Sequence, residues 1–109
     1  MMRLDFEGLQ RVLCLGAHSD DIEIGAGATV LELLGRRPDL HVDWVVFAAA
    51  GGRAEEARES ATRFLEGARS HEIHLFSFRD GYLPWQAIEG KDEFERLKEK
   101  TRPDLVFTH

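Results

Sequence analysis

Residues 11–34, RVLCLGAHSDDIEIGAGATVLELL, constrain the fold of this chain more than any other stretch. Val12, Leu13, Cys14 and Leu15 form a continuous apolar run that breaks at Gly16. His18, Asp20 and Asp21 follow within four positions, and small residues and leucines then resume at helical spacing. An apolar run without alternation marks a strand buried on both faces, as in a parallel sheet, and the polar turn after it leads into a helix. In such a unit the turn lies at the carboxyl end of the strand and faces the positive end of the helix dipole. Open α/β sheets gather their ligands at that rim.

Imidazole nitrogen and carboxylate oxygen are both competent ligands for Zn²⁺, and a carboxylate left uncoordinated beside the metal can take a proton from its water. Ser19, Asp20 and Asp21 also have a plainer reading, as the N-cap and first-turn acids that offset a helix dipole. His18 separates the two readings, because capping does not require it and a metal site does.

Residues 16–25, GAHSDDIEIG, resemble the signature of the PIG-L (LmbE-like) family of zinc-dependent N-deacetylases, usually His-Pro-Asp-Asp-Glu followed by a Gly-rich helix start. Ser19 stands where Pro is usual and Ile22 where the first Glu is usual, and neither position is a ligand in the family pattern. The resemblance implies that His18 and Asp21 bind zinc, that Asp20 is the general base, and that the substrate is an N-acetylated amino sugar of the GlcNAc type. Mixed nitrogen and oxygen ligation also admits other divalent first-row metals.

Composition narrows the alternatives. At 109 residues the chain holds one domain, and 43% hydrophobic with 31% charged residues is the balance of a folded globular protein. A formal net charge of -6, with no Lys/Arg stripe to offset it, argues against nucleic acid as a partner. Cys14 lies inside the apolar run and reads as a buried structural thiol. Residues 1–7 carry acids and lack a signal-peptide core, and nowhere do about 18 apolar residues run together, so no membrane span and a cytoplasmic location are expected.

Beyond the first unit, the spacing predicts helices over 21–34, 54–69 and 92–101 and strands over 41–47, 71–78 and 104–108. Gly25 and Gly27 interrupt the first helix and suit close packing or close approach of a ligand. They do not form a dinucleotide loop, since the strand–helix turn holds His and two Asp where a pyrophosphate would sit. Ala57, Ala61, Phe64, Leu65 and Ala68 make an apolar stripe on the second helix.

The alternation of elements yields an α/β fold, a Rossmann-like parallel sheet of four strands in the order 3-2-1-4 with three helices. The order reverses between strands one and four, so His18 and His109 share the reactive rim, whereas His41, His71 and His74 fall towards amino ends and read as surface or packing residues. Arg53, after the second strand, and Asp80, in the turn after the third, reach the same rim as candidate substrate-binding residues. Asp80 followed by Gly81 also reads simply as a turn.

A catalytic zinc site usually has three protein ligands, and His18 with Asp21 supplies two. The family pattern takes its third ligand and its general acid from a His-rich motif just after the fourth strand, so His109 is the candidate third ligand as the opening residue of that motif. Residues 1–109 are therefore expected to be a single PIG-L-like domain corresponding to the amino-terminal half of such an enzyme, incomplete at its C-terminal side. Weak activity alone follows from the missing His-rich motif, and association into a homo-oligomer from uncovered strand edges and apolar surface. The alternative reading is a receiver-like phosphoacceptor domain, with Asp80-Gly81-Tyr82-Leu83-Pro84 as its acceptor turn, although the Lys of a fifth strand is missing. A catalytically inert assembly fragment is the third.

Overall fold

In a computed structural model, which describes residues 6–109, the fold is organised by strand β2, His41–Ala48. The expectation drawn from residues 1–7 falls for the most part outside the described residues. The last seven residues of β2 are all buried, as expected of a central strand covered on both faces. It lies between β1 (Arg11–His18) and β3 (Ser70–Leu75), and β4 (Leu105–Phe107) pairs with the other side of β1. All three pairings are parallel and the order is β3-β2-β1-β4, the Rossmann-like arrangement that the alternation of elements predicts. The helices are α1 (Asp21–Arg36), α2 (Gly52–Phe64) and α3 (Ala87–Thr101), with a one-turn 3-10 helix at Leu83–Gln86.

Strand residues alternate between two cores. Val12, Cys14, Val42, Trp44 and Val46 pack with Val30 and Leu34 of α1, Ala57 and Ala61 of α2, and Leu65 beyond it. On the opposite face Leu13, Val45 and Phe47 pack with Leu97 of α3. Phe47 also meets the rings of Phe76 and Phe94 at centroid distances of 5.6 and 4.9 Å. Trp44 is fully buried, and truncating an aromatic side chain of this kind to Ala costs about 3–5 kcal/mol. Cys14 has no exposed surface, and burial, with the Asp43 charge second, pushes its thiol pKa up to about 12, as suits a structural and unreactive sulfur.

The helices differ from expectation at their ends. α1 passes through Gly35 to Arg36, and the backbone N–H of Arg37 closes it on Leu33. α2 starts earlier than predicted and stops at Phe64, because residues 65–68 form a turn that still keeps Leu65 buried. α3 begins at Ala87, directly after the 3-10 turn that contains Pro84, a residue suited to the first turn of a helix. β3 ends at Leu75, after which the chain changes direction and forms an antiparallel bridge between Ser77 and Ala48.

The structure also separates the two glycines of α1. A Cβ on Gly27 would lie 2.6 Å from Phe64 Cε1, whereas one on Gly25 would meet nothing within 4 Å. Close packing of α1 on α2 thus explains Gly27 and leaves Gly25 unexplained. The start of β4 is clamped to β1 by Asp104, whose Oδ2 accepts the backbone N–H groups of Gln10 and Arg11 at 2.9 Å each. These bonds, Arg11's first, hold the Asp104 carboxyl below its usual range. Among the described residues no helix is long and apolar enough to cross a membrane.

Candidate functional site

The carboxyl ends of β1 and β4, the start of α1 and the loop before the 3-10 turn meet at one rim. Asp20 is the N-cap of α1 and adopts a left-handed conformation, φ 75° and ψ -14°, which Asp tolerates better than most residues. Its carbonyl accepts the first helical bond, from Ile24 N–H at 2.9 Å, but its side chain makes no cap bond. The capping alternative therefore fails for this carboxylate, and backbone held in a sparsely populated region is a feature that clusters at functional sites.

Asp21 has a different role. Its Oδ2 accepts the backbone N–H of His18 at 2.8 Å and lies 3.7 Å from His18 Nδ1. The same oxygen is 3.6 Å from Nε2 of His109, so one carboxylate sits between imidazoles from opposite ends of the sequence. His109 Nε2 also accepts the backbone N–H of Ala17 at 3.1 Å, which ties the end of β4 to the end of β1 and requires its proton, in the neutral ring, to be on Nδ1.

Asp80 completes the arrangement. Its Oδ1 is 2.8 Å from His18 Nε2 and its Oδ2 is 3.4 Å from Arg53 Nη1. The hydrogen bond from His18, with that from Arg53 next, holds the Asp80 carboxyl below its usual range. An ionised carboxylate only accepts, so His18 Nε2 is the donor, and in the neutral ring Nδ1 is the unprotonated nitrogen on the side of Asp21. That is the pattern of a metal-ligating histidine steadied by a carboxylate on its far nitrogen. All six candidates named from the sequence, His18, Asp20, Asp21, Arg53, Asp80 and His109, lie at this rim. Beside it opens an apolar cavity of about 510 Å³ lined by Leu15, Phe47, Leu83, Phe94 and His109.

His41, His71 and His74 are placed away from this rim. His71 is exposed, as expected, but His74 is almost fully buried with Nε2 3.0 Å from Asp43 Oδ1. Asp43, Glu72 and His74 have donor atoms within 4.8 Å of one another, a grouping that sequence reasoning missed. The signal was available as His-x-Asp at 41–43 and Glu-x-His at 72–74, each at the two-residue period that puts both side chains on one face of a strand.

Comparison with known proteins agrees with the fold. A chain solved as N,N'-diacetylchitobiose deacetylase from Pyrococcus horikoshii, in complex with its inhibitor MPG, superposes with a TM-score of 0.70 at 27% identity, covering 94% of this chain and 42% of that one. The conserved protein TT1542 from Thermus thermophilus superposes at 0.62 with 26% identity, covering 92% and 46%. This chain thus spans less than half the length of either. No curated protein sequence matches it. The receiver-like alternative is not favoured, since Asp80 is engaged by His18 and Arg53 and the chain superposes on a deacetylase over 94% of its length. A family model described as PIG-L, GlcNAc-PI de-N-acetylase, matches residues 13–109, nearly the whole chain, and on that match this chain belongs to the PIG-L family.

Proposed function

We propose that this chain, with residues 1–109 as one domain, carries the metal-dependent site of an N-deacetylase acting on N-acetylated amino sugars of the GlcNAc type. The observation that carries the reading is the position of Asp21 Oδ2 between His18 Nδ1 at 3.7 Å and His109 Nε2 at 3.6 Å. Two imidazoles and a carboxylate are a donor set suited to Zn²⁺, and the Asp80 contact on His18 Nε2 supports the tautomer that ligation through Nδ1 needs. His109 would give up its bond from Ala17 to serve as the third donor. The family description and the name of the Pyrococcus neighbour support the reaction and substrate class.

A Zn²⁺ ion held by these residues would supply carbonyl polarisation and an acidified water. Asp20, whose carboxylate has no hydrogen bond or ion pair among the described residues, accepts the proton of the attacking water. Arg53 and Asp80 hold polar groups of the sugar, Arg53 as a fixed cation and Asp80 as an acceptor for hydroxyls. The apolar cavity beside His109 receives the less polar part of the substrate and keeps water from it.

The test has two arms. Acetate released from N,N'-diacetylchitobiose should depend on added Zn²⁺ and disappear with chelator, and zinc content should fall in His18→Ala. Equal zinc retention by wild type and His18→Ala would overturn the metal assignment, whatever the activity of the chain.

A further inference from the structure

We propose that His41, Asp43, Glu72 and His74 form a second divalent-cation site, of the class that takes Zn²⁺, on the sheet face that carries α3. Positions 41 and 43 of β2 and positions 72 and 74 of β3 project from the same face of two adjacent parallel strands, and Asp43 is directly opposite Glu72 in the register. The result is a two-by-two lattice of ligand-type side chains. His74 Nε2 is 3.0 Å from Asp43 Oδ1 and 3.9 Å from Glu72 Oε2, and His41 Nε2 is 3.3 Å from Asp43 Oδ2. Ligand atoms around one tetrahedral Zn²⁺ lie about 3.3–3.5 Å apart, from metal–ligand distances near 2.0–2.2 Å. These spacings are therefore close to what an ion would impose.

A second observation points to a missing occupant. Asp43 is 2% exposed, yet its Oδ2 makes no hydrogen bond, and neither does the buried Nε2 of His41 that faces it. Buried polar atoms are nearly always hydrogen-bonded, and a carboxylate oxygen that meets an imidazole nitrogen at 3.3 Å without an aligned hydrogen bond is a contact that a shared cation would resolve. His41 Nδ1 is meanwhile 2.8 Å from Ser70 Oγ, so its ring is steadied from the far side as a ligand's should be. Glu72 is half exposed and provides the way in.

Two cations compete for the same carboxylates. Arg11 Nη2 lies 3.7 Å from Asp43 Oδ2, and Lys100 Nζ, from α3, lies 3.0 Å from Glu72 Oε1. The Lys100 pair is exposed and cheap to give up. Arg11 is also anchored through Nε to the Thr101 carbonyl at 2.5 Å, so it remains as a neighbour that balances the second carboxylate. Bound metal would join β2 to β3 beneath the end of α3, a stabilising role remote from the rim.

Titration of the full chain with Zn²⁺, followed by calorimetry and by Co²⁺ absorption in parallel, tests this. With the rim disabled by His18→Ala, one equivalent should still bind. Adding Glu72→Gln, at a solvent-exposed position, or His74→Gln should each weaken that binding by more than about 100-fold, beyond the loss expected of a mere supporting partner. Circular dichroism identifies a variant that fails to fold, and Glu72→Gln then decides alone. No zinc bound in the His18→Ala background, or binding that Glu72→Gln leaves unchanged, would overturn the second site. Retention in Glu72→Gln with loss in His18→Ala would leave the rim assignment standing without it.

Discussion

His18 and Asp80, 62 residues apart, are joined by a 2.8 Å contact between Nε2 and Oδ1. That contact engages Nε2 and leaves Nδ1 as the imidazole nitrogen for the proposed metal. Asp80→Ala should lower Zn²⁺ affinity at the rim by about 10- to 100-fold, the usual effect of losing a carboxylate behind a ligating histidine. Competition against a chromogenic chelator reads this directly. An unchanged affinity would confine Asp80 to contacts with substrate.

For Asp20 the conservative variant is the informative one. Asp20→Asn keeps a residue that tolerates the left-handed backbone and loses only the ability to accept a proton, so metal content and melting should hold while turnover falls by about 10²–10⁴-fold. Asp20→Ala should in addition lose about 1–2 kcal/mol of stability to that backbone conformation. Acetate release with zinc analysis and thermal melting separates the two effects, and normal turnover in Asp20→Asn would remove Asp20 as base.

The two glycines of α1 should respond in opposite directions. Gly27→Ala drives a methyl to 2.6 Å from the Phe64 ring and should cost about 1–3 kcal/mol through overpacking. Gly25→Ala enters open space within the helix and should stabilise by roughly 0.5–1 kcal/mol. Urea midpoints of the two variants check this, and destabilisation by both would mean that Gly25 answers a constraint outside α1 and α2.

Acid should weaken the fold partly through Asp43. Burial alone would raise its carboxyl pKa, but the His74 hydrogen bond and the charges of His41 and His74 outweigh burial and hold it below the ordinary value. Because the folded pKa lies below the unfolded one, about 3.9, the stabilisation is complete above that value and is lost as pH falls through the folded pKa. Asp43→Asn, measured in chelator, should therefore lose about 1–3 kcal/mol at neutral pH and show a shallower decline below about pH 4. Parallel stability–pH curves for variant and wild type would show that Asp43 does not carry this dependence.

Trp85 and Ile88 are 80% and 78% exposed, and Val106 is partly exposed on the edge strand β4. Exposed apolar side chains and an open strand edge each favour association. Light scattering should show a mass that rises with concentration, and Trp85→Ser with Ile88→Glu should reduce it. A monomer at all concentrations would contradict the expectation.

Much of this molecule is written locally. The run 12–15, the break at Gly16 and the helical spacing after Asp21 specify β1, its turn and α1, because each depends only on near neighbours and on period. The 3-2-1-4 order follows from alternation and from the handedness of crossovers, and it brings His18 and His109 to one rim. Helix ends were less legible, since the turn at 65–68 and the early start of α3 depend on what the flanking residues pack against.

What the sequence alone determined is therefore the fold and the membership of the rim, including the residue types and the side of the sheet on which they gather. Only the tertiary structure decided the roles within it: the left-handed backbone that leaves Asp20 free of capping, the carboxylate of Asp21 between two imidazoles, and the hold of Asp80 on His18. It also revealed the cluster around Asp43, whose members lie on separate strands. The physical reason is the same throughout. Periodicity tells which face a side chain takes, but the choice of a hydrogen-bond partner depends on distances of a few tenths of an ångström between residues that only folding brings together.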